Sequence, residues 1–172
     1  YAYLLHDKRG HGLSSVGTPP YTIETHADDL IALLDHLKIG EVIVWGLSVG
    51  GLIAQSVAIT HPERVAALVL SNTAQKIGTA EMWNARIDAV RANGLESLVD
   101  PVMERWFTPA FRRDDNPLYA GARAMLLRQS AEGYCGTCAA IRDADYTDAL
   151  ARLVVPTLCV AGDQDGSTPP EL

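Results

Sequence analysis

The chain has 172 residues, enough for one domain with a sizeable core, and its 48% hydrophobic and 20% charged residues are an ordinary globular balance. A formal charge of −7 argues against a basic surface for nucleic acid. Three cysteines, an odd number, do not make a secreted disulfide framework; with no leader-like opening, they favour a reducing, cytoplasmic setting.

Residues 1–6 (YAYLLH) read as an apolar strand, followed by the polar loop DKRGHGLSSVGTPP. A helix is expected from about Ile23 to Ile39, with Ala27, Leu30, Ile31, Leu34 and Leu37 on one face and Gly40 as its stop. EVIVW (41–45) is a short β-branched strand, and Val49 to Thr60 is a helix stopped by His61-Pro62. VAALVLSN (65–72) and LVVPTLCVAG (153–162) are two more buried strands, the second with Pro156 near its start. Val42 to Ile59 is uncharged and nearly long enough to span a membrane. Its glycines and polar residues fit a buried strand, a turn and a buried helix instead.

Apolar strands alternating with helices indicate an α/β fold whose parallel sheet is covered on both faces. Residues 75–146 break the pattern: they have helical periodicity, with breaks at Gly94, Pro101, Pro109 and Pro117, and no convincing strand. The expected organisation is therefore a core of residues 1–74 and 147–172, with 75–146 as a helical cap. The cap carries nine basic against ten acidic residues, and the core five against eleven, so cations for an anionic ligand are to be sought in the cap.

WGLSVGG (45–51) places glycine, serine and glycine at alternate positions between a β-branched strand and a helix, the context a nucleophile elbow requires. Glycines two before and two after the serine would remove side chains that collide as strand and helix approach, and Gly51 allows still closer packing. Ser48 is then the candidate nucleophile, and the Val49 N–H, at a helix start, a candidate oxyanion donor. VAGDQDGSTP follows the last strand and brings carboxylates to the same sheet edge. Asp165 is better placed than Asp163, because the turn must return the side chain toward the serine.

With HDKRGHGLS, GLSVGG, a helical insertion and GDQD in this order, the chain resembles an α/β-hydrolase. PYTIETHADDLIALLDHLKI, LSNTAQKIGTAEMW, RWFTPAF and AEGYCGTCAAIRDAD resemble the 3-oxoadipate enol-lactonases of bacterial aromatic catabolism, the β-ketoadipate route. The resemblance implies Ser48 as nucleophile, Val49 N–H as one oxyanion donor and Asp165 as triad acid. It also implies a small anionic lactone as substrate, with no metal and no organic cofactor. Trp83, Arg86 and Trp106 are the candidates for holding the substrate carboxylate. His6 departs from the aromatic residue the family usually has before the aspartate. The early strands, the second oxyanion donor and the catalytic histidine are not in this sequence.

That last absence is the sharpest. In this fold the order is serine, acid, histidine, and none of the seven residues after Asp165 is a histidine. The resemblance implies that His11 shapes its loop; His26 and His36 are expected to be surface or helix-end residues, and His61 to lie on the rim opposite Ser48. The opening YAYLL without methionine, and a close at DGSTPPEL where Thr168 would cap a new helix, read as a fragment. The dithiol CGTC (135–138) lies in the helical insertion and lacks a second ligand pair for zinc, so its cysteines are expected on a buried helix face. Two rival readings are another esterase or a cofactor-free haloperoxidase-like enzyme of the same fold, and a non-catalytic binding protein.

Overall fold

A computed structural model of the chain describes residues 2–171. The elements are α1 (Ile23–His36), β1 (Val42–Leu47), α2 (Val49–Thr60), β2 (Val65–Ser71), α3 (Ala80–Asn93), α4 (Val99–Trp106), α5 (Pro117–Leu127), α6 (Ala131–Asp143), α7 (Thr147–Leu150) and β3 (Thr157–Val160). Short 3-10 turns at Pro62–Arg64 and Leu95–Leu98 join α2 to β2 and α3 to α4.

The three strands form one parallel sheet in the order β1-β2-β3. The register puts Leu47 beside Ser71 and Ser71 beside Val160, so all three strands finish in one row. Helix α2 packs on β1 and β2 through small and branched side chains (Leu52, Ala54, Val57, Ala58) that are almost wholly buried, and α1 packs on α2. Among the described residues, α2 lies on that face of the sheet, and on the other Ile43, Trp45 and Leu47 alternate outward at 51%, 70% and 62% exposure. No helix of the described residues is long and apolar enough to cross a membrane.

Thr22 starts α1 by accepting from the Thr25 N–H at 3.1 Å, with Glu24 in the first turn. The helix stops at His36, earlier than expected, and the residue that turns the chain is not Gly40. Lys38 takes the left-handed conformation (φ 57°), while the Ile39 and Lys38 N–H groups bond to the Leu34 and Asp35 carbonyls at 2.9 and 3.0 Å. This is a Schellman closure. Arg64 then staples the corner, donating to the Asp35 carboxylate (2.7 Å) and to the Gly40 and Ile39 carbonyls (both 2.8 Å).

Two strand expectations are corrected. Residues 2–6 form no strand: Tyr3 and Leu5 are 83% and 92% exposed, and no described strand lies beside them to take their backbone hydrogen bonds. Tyr1 lies outside the described residues. The last strand begins only at Thr157, because Pro156 has no N–H to give; its carbonyl still accepts from Leu68 N–H at 2.9 Å. Between β2 and β3 every described element is helical, with α3 packed on α6 and α4 on α5.

His26 also differs from expectation. It is 1% exposed, edge-on to the Tyr21 ring at 5.3 Å, and neither ring nitrogen has a protein partner. Position 26 is three residues after Ile23, so the helical period turns it inward beside Ala27. Burial, reinforced by Lys8, pushes its pKa down to about 4. A histidine held neutral in the fold but free to protonate when unfolded withdraws stability as pH falls from its ordinary value near 6.5 toward 4. His11, also lowered to about 4, acts in the same window. Unfolding temperatures at pH 7.5 and pH 5 are thus expected to differ less in His26→Phe, which keeps the ring contact, than in the unsubstituted protein.

Candidate active site

The site is built at the row where the strands end. Ser48 sits between the last residue of β1 and the first of α2 with φ 54° and ψ −118°, a conformation that costs a non-glycine residue strain. Its backbone holds that position from both sides. The Ser48 N–H donates to the Ser71 carbonyl at 3.0 Å, while its carbonyl accepts from Gly51 N–H (2.8 Å) and from the Thr73 hydroxyl (2.7 Å). The side chain is exposed and caps nothing. The Val49 N–H is the first of α2 and has no partner within the helix, so it presents a donor and the positive helix end beside the serine hydroxyl.

The glycines of the elbow are not equivalent. A Cβ on Gly46 would collide with the Gly50 carbonyl and the Gly51 nitrogen, and one on Gly51 would collide with Thr73. A Cβ on Gly50 would meet nothing within 4 Å. The close approach of strand and helix therefore depends on positions 46 and 51, and the symmetric two-before, two-after reading is corrected.

Asp165 lies in the turn after β3, closed by its N–H to the Gly162 carbonyl at 3.2 Å. Its carboxylate takes four donors. One oxygen accepts from Asn72 Nδ2 (2.8 Å) and the Thr168 hydroxyl (2.7 Å), the other from the N–H groups of Ser167 (2.7 Å) and Thr168 (3.2 Å). Burial pushes this carboxyl up, but the Asn72 amide and the other donors outweigh it and hold it below its ordinary value. Asp163 is exposed. Ser48 and Asp165 thus follow strands two apart in the sheet, whose backbones run about 10 Å from each other.

None of the five histidines fills that interval. His11 Nδ1 is 3.3 Å from the Arg9 carbonyl of its own loop, and burial with Lys8 nearby lowers its pKa to about 4. His61 closes the far end of α2, about 20 Å from Ser48 at 1.5 Å per residue. His36 ends α1 shortly before β1 begins, so it lies at the opposite edge of the sheet. His6 is exposed, and His26 is sealed under Tyr21.

An alpha/beta hydrolase fold family matches residues 1–172, the whole chain. The chain belongs to the α/β-hydrolase family. Among curated proteins it is similar to 3-oxoadipate enol-lactonase 2 of Acinetobacter baylyi, 42% identical over 98% of this chain and 63% of that protein. It is also similar to 3-oxoadipate enol-lactonase 1 of the same organism, 36% identical over the same shares. Among solved structures it superposes on the enol-lactonase of Burkholderia xenovorans with a TM-score of 0.93 at 36% identity, covering 96% of this chain and 64% of that one. A thermophilic esterase from Thermogutta terrifontis follows at a TM-score of 0.89 and 30% identity, covering 96% of this chain and 62% of that one. This α/β-hydrolase chain therefore spans just under two thirds of the relatives it matches.

Of the three cap residues expected near a substrate carboxylate, the α/β-hydrolase brings two together. The Arg86 guanidinium lies 4.9 Å over the ring of Trp83, which is buried and donates its Nε1–H to the Ile77 carbonyl at 2.6 Å. Trp106 stands apart at the end of α4, 51% exposed. Cys135 and Cys138 are buried in α6; burial raises both thiols, that of Cys138 to about 12, the reverse of what a redox dithiol needs. Asn72 and Thr73 are the site residues that sequence reasoning missed. Their partners are distant in the chain, and only the observation that they follow a strand at the serine's edge could have flagged them.

The glycine contacts make a direct prediction. Gly46→Ala should destabilise the whole protein by about 1–3 kcal/mol through overpacking. Gly50→Ala should be neutral or raise stability by up to about 1 kcal/mol, since it adds helix propensity without a clash. Denaturant unfolding of the two variants checks this; equal losses would contradict the asymmetry.

Proposed function

We propose that the whole protein is a serine hydrolase that opens the ring ester of 3-oxoadipate enol-lactone. The observation that carries this reading is the pairing of Ser48, strained and exposed at the elbow, with the pinned Asp165 carboxylate in the same strand-end row. The similarity to enol-lactonases of Acinetobacter baylyi and Burkholderia xenovorans supports the choice of substrate.

The Ser48 oxygen attacks the ring carbonyl while a histidine takes its proton, and the Val49 N–H receives the negative charge that develops on the carbonyl oxygen. The bond to the ring oxygen breaks, the imidazolium returns the proton, and the enol that leaves becomes a ketone. Water, activated by the same histidine, then releases 3-oxoadipate from the acyl-enzyme. Asp165 stabilises the imidazolium. The histidine is supplied by the part of the protein outside these 172 residues. Residues 75–146 act as the cap, in which Arg86 stacked on Trp83 meets the substrate carboxylate, with Trp106 at its margin. The enzyme works in the cytoplasm on a small molecule.

A second reading, a general carboxylesterase, is favoured by the likeness to the Thermogutta esterase. The assay that separates them compares enol-lactone with a p-nitrophenyl ester on the whole protein. The proposal expects a kcat/KM at least a hundredfold higher for the lactone, and a loss of at least about 10³-fold in Ser48→Ala. Preference for the aryl ester would favour the esterase, and full activity in Ser48→Ala would remove the nucleophile assignment. The 172-residue chain alone is expected to turn over neither substrate; normal activity there would show that no further histidine is needed.

A further inference from the structure

Four donors surround the Asp165 carboxylate, but only one reaches it from outside its own turn. The Ser167 and Thr168 groups travel with Asp165 on the segment after β3. Asn72 is 93 residues away in sequence and its amide donates to Asp165 Oδ2 at 2.8 Å. Its backbone is itself fixed: the Asn72 N–H bonds to the Val160 carbonyl at 2.8 Å, and the residue holds a left-handed φ of 45°. Asparagine is among the few non-glycine residues that tolerate this region.

The neighbours of Asn72 do the same for the serine. Ser71 accepts the Ser48 N–H at 3.0 Å, and the Thr73 hydroxyl donates to the Ser48 carbonyl at 2.7 Å. Three consecutive residues at the end of the central strand therefore grip Ser48 with the first and third and Asp165 with the second.

From this juxtaposition we infer that Asn72 is a positioning residue that sets the place of the Asp165 carboxylate relative to Ser48. The inference rests on the serine-hydrolase reading above. It assigns Asn72 no contact with substrate; the amide acts through Asp165 on the imidazole that Asp165 must orient. A glycine at 72 keeps the left-handed backbone without strain and removes only the amide, so Asn72→Gly isolates the side chain. Gln164→Ala is the control, because it alters an exposed side chain of the same turn that gives no donor to the Asp165 carboxylate.

The test is steady-state lactone hydrolysis by the whole protein as a function of pH. Asn72→Gly should lower kcat at least tenfold with KM within about twofold, and should move the acid limb of kcat/KM to lower pH, since a displaced carboxylate stabilises the imidazolium less. Gln164→Ala should stay within about threefold with the limb unmoved. Wild-type kcat and an unmoved limb in Asn72→Gly, or equal losses in both variants, would overturn the inference. If wild type and Ser48→Ala are equally inactive, it is the hydrolase reading that has failed. The Asn72 contact is then decided by carboxyl-carbon NMR titration of Asp165. A higher Asp165 pKa in Asn72→Gly supports the tie, and an unchanged value overturns it.

Discussion

The alignment of three strand ends, Leu47 beside Ser71 beside Val160, is the constraint on which the placing of Ser48, Asn72 and Asp165 depends. A parallel sheet brings residues from distant parts of the sequence to one edge, and loops beyond that edge inherit its order. Here the inheritance is unusually direct. The ladder continues one residue past the strands, with Ser48 N–H on Ser71 and Asn72 N–H on Val160, before any loop begins. The serine and Asn72 are thereby placed by backbone hydrogen bonds, and the Asn72 amide carries the placement on to the turn that holds Asp165.

Strain and close packing complete the elbow. Ser48 holds its unfavourable backbone angles because Gly46 lets β1 and α2 come within backbone contact and Gly51 lets α2 settle on Thr73. The consequence is a hydroxyl with no structural duty beside an unpaired helix N–H. Both groups are free to meet a substrate, and the cost of keeping them so is met by the buried contacts of α2 with the sheet.

What the sequence disclosed, and what it hid, divides by the range of the interactions. The strand, turn and helix of the elbow were legible because they are contiguous, and the position of Asp165 at the strand-end edge because it follows a strand by a short turn. The strand expected at residues 1–6 needed a neighbour to pair with, which no local pattern supplies, and the described part of it lies exposed. His26 was misplaced because its polarity outweighed a helical period that already pointed it inward. Gly50 was given a packing role that belongs to Gly46 and Gly51, since motif spacing does not say which Cβ meets backbone. Lys38 took a turn expected of Gly40, and the grip of Asn72 on Asp165 spans 93 residues. Neither leaves a trace in local composition.

If this row makes Ser48 a nucleophile, an alkyl fluorophosphonate will find it on the whole protein, and peptide mass spectrometry will map the adduct. One phosphonyl group per protein is expected, on Ser48, formed slowly or not at all when Asp165 is replaced by Asn. Modification at another serine, or none on a protein that still hydrolyses the lactone, would contradict it.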